Sequence, residues 1–142
     1  MSGTTIGMLG FIGLGVMGEP MCRNLITSGN WTVRVHDLSP EPLARLRALG
    51  AEPTASPTDL IADADLVITC LPGGSEVEDL YVGAGKMIDQ VKERQILVDM
   101  STSPPSLMRD LAKAAADRGA AFADAPIART RQAAADGTLA IM

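Results

Sequence analysis

Three glycines near the start of the chain, Gly13, Gly15 and Gly18, have the spacing of a turn that binds a pyrophosphate. In such a turn the first glycine permits a tight bend, the second lets the ligand approach the backbone, and the third lets a helix pack closely on a strand. The N-terminus of that helix adds N–H groups and roughly half a positive charge that faces the anion. The pattern therefore predicts a dinucleotide site.

The segments on either side of these glycines have the patterns of a strand and a helix. An apolar run precedes the glycines, and Met17, Met21 and Leu25 then recur at four-residue spacing, which is typical of an amphipathic helix that ends near residues 28–30. We expect the whole turn to contact the dinucleotide, through Phe11, Ile12, Gly13, Leu14, Gly15, Val16, Met17 and Gly18.

A second predicted strand, residues 31–36, ends in Asp37, which lies 19 residues after Gly18. At this distance the motif expects an acidic residue that accepts hydrogen bonds from the adenine ribose hydroxyls. Because its negative charge would repel a 2′-phosphate, Asp37 predicts that NAD is preferred over NADP. We expect Leu38, the next residue, to contact the cofactor as well. The alternative is that Asp37 only caps a helix or forms a turn before Pro40.

The rest of the chain alternates short apolar runs with helical stretches, which predicts an α/β fold of the Rossmann type with a doubly wound, mostly parallel sheet. Further strands are expected at 51–54, 66–71, 96–100 and 120–123, and helices at 40–49, 57–62, 75–81, 86–93 and 105–118. Three of the strands lead into the polar or proline-containing loops 72–74, 101–105 and 124–126. Since ligands bind at the carboxyl edge of such sheets, we expect these loops to line one cleft.

Composition and charge limit the function further. The 142 residues are 46% hydrophobic, and this length predicts one domain, residues 1–142. The formal net charge of −5, without a block of like charge, argues against nucleic acid and anionic membranes as partners. We also expect no membrane span, no signal segment and no metal site. Cys22 and Cys70 fit small buried hydrophobes in a reducing cytoplasm.

Four segments in order along the chain resemble the β-hydroxyacid dehydrogenases, the family of 3-hydroxyisobutyrate dehydrogenase and, more distantly, 6-phosphogluconate dehydrogenase. They are GFIGLGVMGEPMCRNL from residue 10, TCLPGG from 69, VDMSTSPP from 98 and DAPIARTRQAAADGTLAIM from 124. The resemblance implies an NAD(P)-dependent oxidoreductase that transfers a hydride between the nicotinamide and a small anionic 3-hydroxy acid or its semialdehyde.

The resemblance also implies cofactor contacts outside the glycine turn. These contacts are Leu71, Pro72, Val77 and Thr102, of which Thr102 would lie beside the nicotinamide ribose and the substrate. A nicotinamide ring must be held with one face toward the substrate carbon, which explains the need for such contacts. Ser101 and Thr102 can equally cap the helix that follows, and the two roles can coexist.

The segment from residue 124 departs from the family pattern. Relatives commonly read D-A-P-V-S-G-G there, whereas this chain has Ala128, Arg129 and Thr130 at the positions that would bind the substrate carboxylate. We interpret Arg129 as a guanidinium that binds a larger or more strongly charged anion, such as a second carboxylate, a sulfonate or a phosphate. The alternative is that Arg129 or Arg131 is a solvated surface residue.

The catalytic lysine implied by the resemblance belongs to a helical domain beyond Met142. Lys86, Lys92 and Lys113 fall in predicted helices and do not match its motif. We therefore expect no catalytic residue in this chain and little or no dehydrogenase activity, because general acid–base catalysis typically contributes ~10²–10⁴-fold. The alternatives are a stand-alone NAD-binding or scaffolding module and the cofactor domain of an imine reductase-like enzyme. A cofactor domain without its partner would also favour homo-oligomers.

Overall fold

The computed structural model describes residues 6–84, 86–128 and 130–142. Six parallel strands form one sheet in the order β3-β2-β1-β4-β5-β6. These strands are β1 (Met8–Ile12), β2 (Thr32–His36), β3 (Glu52–Pro53), β4 (Leu66–Thr69), β5 (Ile96–Asp99) and β6 (Ala121–Asp124). Two short strands, β7 (Ile127–Ala128) and β8 (Ala140–Ile141), pair antiparallel beside it. The strand order is that of a Rossmann sheet and confirms the predicted α/β class.

Helices connect the strands, as parallel pairing requires. They are α1 (Gly18–Ser28), α2 (Pro40–Arg47), α3 (Pro57–Asp63), α4 (Gly74–Tyr81), α5 (Pro105–Ala116) and α6 (Arg131–Asp136). Proline opens α2, α3 and α5, where its fixed φ suits a helix and its missing N–H is not needed. The Ser56 hydroxyl caps α3 by accepting from the Asp59 N–H at 3.1 Å.

Apolar side chains cover both faces of the sheet. Because successive side chains of a strand point to opposite faces, Phe11 and Ile12 of β1 belong to two different buried clusters. Phe11 packs with Cys22 of α1 and Leu46 of α2, whereas Ile12 belongs to the larger cluster that contains Leu111 of α5. With both faces covered, the carboxyl edge of the sheet is the open side on which a ligand can lie.

One predicted element is wrong in type. The expected helix at 86–93 is a four-residue 3₁₀ turn, Met87–Gln90. Lys86 has a φ of 44°, which is left-handed, and Val91 is extended, so an α-helix can neither begin at the first nor pass through the second. The alanine-rich residues 133–135 lie in α6, as expected of helix formers. Within the described residues, no helix is long and apolar enough to cross a membrane.

Candidate dinucleotide-binding site

The loop between β1 and α1 has the backbone geometry of a phosphate-binding turn. Gly13 has a φ of 97°, a conformation that favours glycine, and a Cβ there would collide with the carbonyl oxygen of Cys70. A Cβ at Gly18 would collide in turn with the carbonyl oxygen of Gly13. At Gly15, by contrast, a Cβ would meet no atom within 4 Å. The first and third glycines are thus required by packing, while the second keeps space open in front of the backbone.

The start of α1 leaves room for an anion. Met17 stands at the N-cap and makes no side-chain hydrogen bond, so its side chain does not compete for the N–H groups of the first turn. The open space at Gly15 lies directly before this turn. A glycine backbone without a Cβ and a helix N-terminus together fit the pyrophosphate of a dinucleotide.

Asp37 joins the end of β2 to the glycine turn. Its Oδ2 accepts a hydrogen bond from the Leu14 N–H at 2.6 Å, and its Oδ1 accepts from the Ser39 N–H at 2.8 Å. Asp37 therefore does form a turn, but these two hydrogen bonds do not fill all the acceptor positions of its carboxylate. Each carboxylate oxygen has about two acceptor positions, so both oxygens retain one for ribose hydroxyls.

A cleft of about 780 Å³ opens beside Asp37, between α1, α2 and α6; we call it the α1–α2 cleft. It brings together four of the predicted site residues, Leu14, Gly15, Val16 and Asp37. The other lining residues are Glu19, Pro20, Arg23, Ser39, Glu41, Pro42, Arg45, Arg131 and Ala135. The charged members of this second group had no recognisable signal in the sequence, since they come from three helices that meet only in the fold.

A buried network of hydroxyl groups surrounds Asp99 at the end of β5. The carboxylate has no exposed surface and accepts hydrogen bonds from the Thr69 hydroxyl at 2.7 Å and the Ser101 hydroxyl at 2.8 Å. Ser103 adds a longer contact of 3.4 Å. Burying a carboxylate is costly unless it is hydrogen-bonded, so these donors are what make the buried position tolerable.

This network joins two loops of the carboxyl edge. Ser101 Oγ accepts from the Leu71 N–H at 2.8 Å while its own proton goes to Asp99. Leu71 lies in the loop after β4, and Thr102 follows Ser101 in the loop after β5. The two segments expected to hold the nicotinamide end of the cofactor are thus fixed relative to each other by one hydroxyl.

The end of β6 completes the same edge. Asp124 lies opposite Asp99 in the parallel register, and the Ala125 N–H donates to the Asp99 carbonyl oxygen at 2.8 Å. Partial burial, reinforced by the charge of Asp99, raises the pKa of Asp124. The loops after β4, β5 and β6 therefore lie side by side, as the sequence predicts.

The residues predicted to contact the cofactor differ in how far their side chains are exposed to solvent. The side chains of Phe11, Ile12 and Leu14 are buried, so that only their backbone can meet a ligand, whereas Val16 and Leu38 stand open to solvent. Val77 is fully buried in the larger apolar cluster, and its side chain packs in the core rather than toward the edge. A cofactor contact for these residues stays a prediction.

The predicted substrate residues lie at the start of the β7–α6–β8 segment. Ala128 pairs with Ala140, and the Thr130 hydroxyl caps α6 by accepting from the Ala133 N–H at 3.2 Å. Arg129 lies outside the described residues. The segment is attached to α1 through Asn24, whose amide donates to the Ala134 carbonyl oxygen at 2.9 Å.

The three lysines of the chain lie away from the α1–α2 cleft. Lys92 Nζ donates to the Ala62 carbonyl oxygen at 2.7 Å, and Lys113 Nζ pairs with Asp117 at 3.0 Å. Lys86 precedes the 3₁₀ turn. Within the described residues, moreover, no group of three His, Cys, Asp or Glu side chains has the arrangement of a metal site.

Comparison with known proteins adds independent information. Residues 8–142 match the family described as the NAD binding domain of 6-phosphogluconate dehydrogenase. The chain is 38% identical over 134 residues to mitochondrial 3-hydroxyisobutyrate dehydrogenase of Rattus norvegicus, and the match covers 94% of this chain and 40% of that protein. It is also 38% identical over 134 residues to 2-(hydroxymethyl)glutarate dehydrogenase of Eubacterium barkeri, with coverage of 94% and 44%.

Solved structures give the same result for the fold. The structure of Psf3 in complex with NADP+ and 2-OPP has a TM-score of 0.86 and 31% sequence identity, over 94% of this chain and 47% of that chain. The chain spans less than half the length of each of these three proteins. What the three share with this chain is therefore the part that carries the glycine turn, the Asp99 network and the β7–α6–β8 segment.

Proposed function

Because this chain belongs to the family of the NAD binding domain of 6-phosphogluconate dehydrogenase, we propose that it binds NAD in preference to NADP and positions it for hydride transfer. The predicted family resemblance and the predicted dinucleotide-binding role are thereby confirmed. The preference between the two cofactors rests on one observation, the 2.6 Å contact between Asp37 Oδ2 and the Leu14 N–H. That contact holds a carboxylate beside the glycine turn.

The position of Asp37 supports the discrimination between cofactors. A ribose 2′-hydroxyl can donate to a carboxylate, whereas a 2′-phosphate carries about −1.5 to −2 charges and is repelled by it. The carboxylate cannot easily turn away, because Leu14 and Ser39 hold its two oxygens. The structure of Psf3 contains NADP+, so a member of this fold can accept the phosphorylated cofactor, and the preference here depends on the local residues.

The nicotinamide end would be held by the loops joined through Ser101. When bound, the cofactor supplies or accepts the hydride, and the protein provides orientation. In this proposal the Leu71–Pro72 backbone and Thr102 hold the ring with one face toward the substrate. The hydrogen bond from the Leu71 N–H to Ser101 keeps the two loops at a fixed separation, which is what a near-attack geometry needs.

The substrate in this proposal is a small anionic 3-hydroxy acid or its semialdehyde. The rat relative is a 3-hydroxyisobutyrate dehydrogenase, and the Eubacterium barkeri relative is named for a glutarate, a dicarboxylate. A guanidinium at Arg129, between Ala128 and Thr130, suits such an additional carboxylate because it can form a bidentate pair. Lys92 Nζ is bonded to the Ala62 carbonyl oxygen and Lys113 Nζ to Asp117, and this proposal gives neither lysine a role as general acid or base.

Calorimetric titration with NADH and NADPH tests the proposal directly. The unaltered chain should bind NADH about tenfold or more tightly than NADPH, a difference of about 1.4 kcal/mol. Asp37→Asn removes the charge while retaining a side-chain acceptor, and it should tighten NADPH binding. Asp37→Ala should weaken NADH binding. Equal affinity of the unaltered chain for both cofactors would refute the preference, and the absence of binding for either would refute the proposed function.

A further inference from the structure

The charged residues of the α1–α2 cleft form a balanced set. Three carboxylates line it, those of Glu19, Asp37 and Glu41, and three guanidinium groups face them, those of Arg23, Arg45 and Arg131. A cleft with three arginines beside the adenine ribose position is an unexpected environment for a cofactor without a 2′-phosphate. The arrangement of the carboxylates relative to these arginines therefore decides what the cleft attracts.

Glu19 forms ion pairs with two of the three arginines that line the α1–α2 cleft. Its Oε1 accepts from Arg45 Nε at 2.6 Å and its Oε2 from Arg45 Nη2 at 2.9 Å, a bidentate pair that joins the first turn of α1 to α2. Arg23, one turn further along α1, approaches Oε1 at 3.8 Å. The Glu19 side chain is only 15% exposed, whereas about half of each arginine side chain is exposed.

The electrostatics of the cleft agree with this geometry. The hydrogen bond from Arg45 is the largest cause that lowers the pKa of Glu19, and the charges of Arg45, Arg23 and Arg131 lower it further against the effect of burial. Glu19 is therefore ionised at neutral pH and neutralises cationic groups that would otherwise face the cleft. A bidentate carboxylate uses the same guanidinium edge that would bind a phosphate.

We propose that Glu19 is a second specificity-determining residue, which excludes NADP by engaging the Arg45 guanidinium that would otherwise bind the 2′-phosphate. This inference rests on the proposed function and extends it. Asp37 repels the 2′-phosphate of NADP, whereas Glu19 removes the attraction between that phosphate and Arg45. Specific sites commonly combine both devices. Glu19 would thus act through Arg45, and its effect should depend on that residue.

The test is to measure, by calorimetry at low salt, the ratio of the NADP affinity to the NAD affinity in a set of variants. Glu19→Ala should shift the ratio toward NADP by about fivefold, the effect of freeing one charge roughly 8 Å from a doubly charged phosphate in water-like surroundings. Arg45→Ala should shift the ratio the other way, because it leaves Glu19 without its partner. In Glu19→Ala/Arg45→Ala the gain should disappear.

A matched double variant separates the effect of the Arg45 guanidinium from the effect of net charge. Arg47 lies on the same helix as Arg45 but does not line the cleft, so Glu19→Ala/Arg47→Ala should keep the NADP gain. The gain should also shrink in 0.5 M salt, where exposed charges are screened over a few ångströms. These two results would support the assignment of the released group to Arg45.

Three outcomes would count against the inference in distinguishable ways. If Glu19→Ala tightens NAD and NADP equally, the residue affects only the pyrophosphate at the start of α1, and its role in specificity is refuted. If the Arg47 substitution abolishes the gain as fully as the Arg45 substitution, net charge and not the Arg45 guanidinium is responsible. If the unaltered chain binds neither cofactor, the proposed function itself has failed.

Discussion

Ser101 stands between Asp99 and the loop after β4, since its hydroxyl donates to Asp99 Oδ1 at 2.8 Å and accepts from the Leu71 N–H at the same distance. One side chain thereby compensates a buried carboxylate and fixes a backbone segment at the proposed nicotinamide end of the site. The Ser101 hydroxyl therefore contributes both to the stability of the fold and to the proposed function.

Ser101→Ala should therefore affect both. The substitution removes one donor from Asp99 and the acceptor of the Leu71 N–H, and leaving buried polar groups unsatisfied costs about 1–3 kcal/mol. We expect a loss of that size in the free energy of urea unfolding, together with weaker NADH binding. Ser103→Ala provides the control, because its contact with Asp99 is 3.4 Å long, and it should cost less. Equal losses for the two variants would contradict the role given to Ser101.

Two glycine substitutions should separate folding from binding. Gly13→Ala places a side chain at a φ of 97° and against the Cys70 carbonyl, so it should destabilise the fold by about 1–3 kcal/mol or more. Gly15→Ala meets no protein atom and should leave the unfolding curve almost unchanged, while raising the Kd for NADH about tenfold or more. Unaltered NADH affinity in Gly15→Ala would show that the pyrophosphate lies elsewhere.

Much of the site follows from local sequence, and part of it does not. The glycine spacing and the distance to Asp37 belong to one strand–helix–strand unit, so a pattern along the chain suffices to predict them. The Glu19–Arg45 pair joins residues 26 positions apart on two helices, and no periodicity specifies which surface residues of those helices will meet. At 86–93 the apolar spacing suggests a helix, but the left-handed Lys86 overrides it.

The reactivity of Cys70 tests how strongly its thiol is shielded from solvent behind the glycine turn. Burial, with the charge of Asp99 as a second cause, raises the pKa of Cys70 to about 11. Only the thiolate reacts with iodoacetamide, so the alkylation rate of Cys70 in the folded chain should keep rising from pH 8 to about 11. In urea, where the thiol is solvated, the rate should level off near the ordinary pKa of about 8.5. A plateau near pH 9 in the folded chain would contradict the half-buried position of Cys70.

Asp65 links the start of β1 to the start of β4 and should make stability dependent on pH. Its Oδ2 accepts from the N–H groups of Met8 and Gly7, both at 2.9 Å, and these bonds lower its pKa below the ordinary value. A carboxyl whose pKa is lower in the folded than in the unfolded state stabilises the fold above the unfolded pKa, which is about 3.9. That contribution is lost as the pH falls through this value toward the folded-state pKa.

The difference in urea midpoint between the unaltered chain and Asp65→Asn measures this contribution. The difference should be present at pH 7 and should narrow as the pH falls below about 3.9 toward the lowered folded-state pKa, where the native carboxyl also becomes protonated and the two side chains are alike in charge. Asp110→Asn makes the same charge change at an exposed position of α5 and serves as the control for the change in net charge. The Asp65 bonds hold the start of the first strand beside the start of the fourth. A difference in midpoint of the same size at every pH would mean that the charge of Asp65 contributes nothing to this contact.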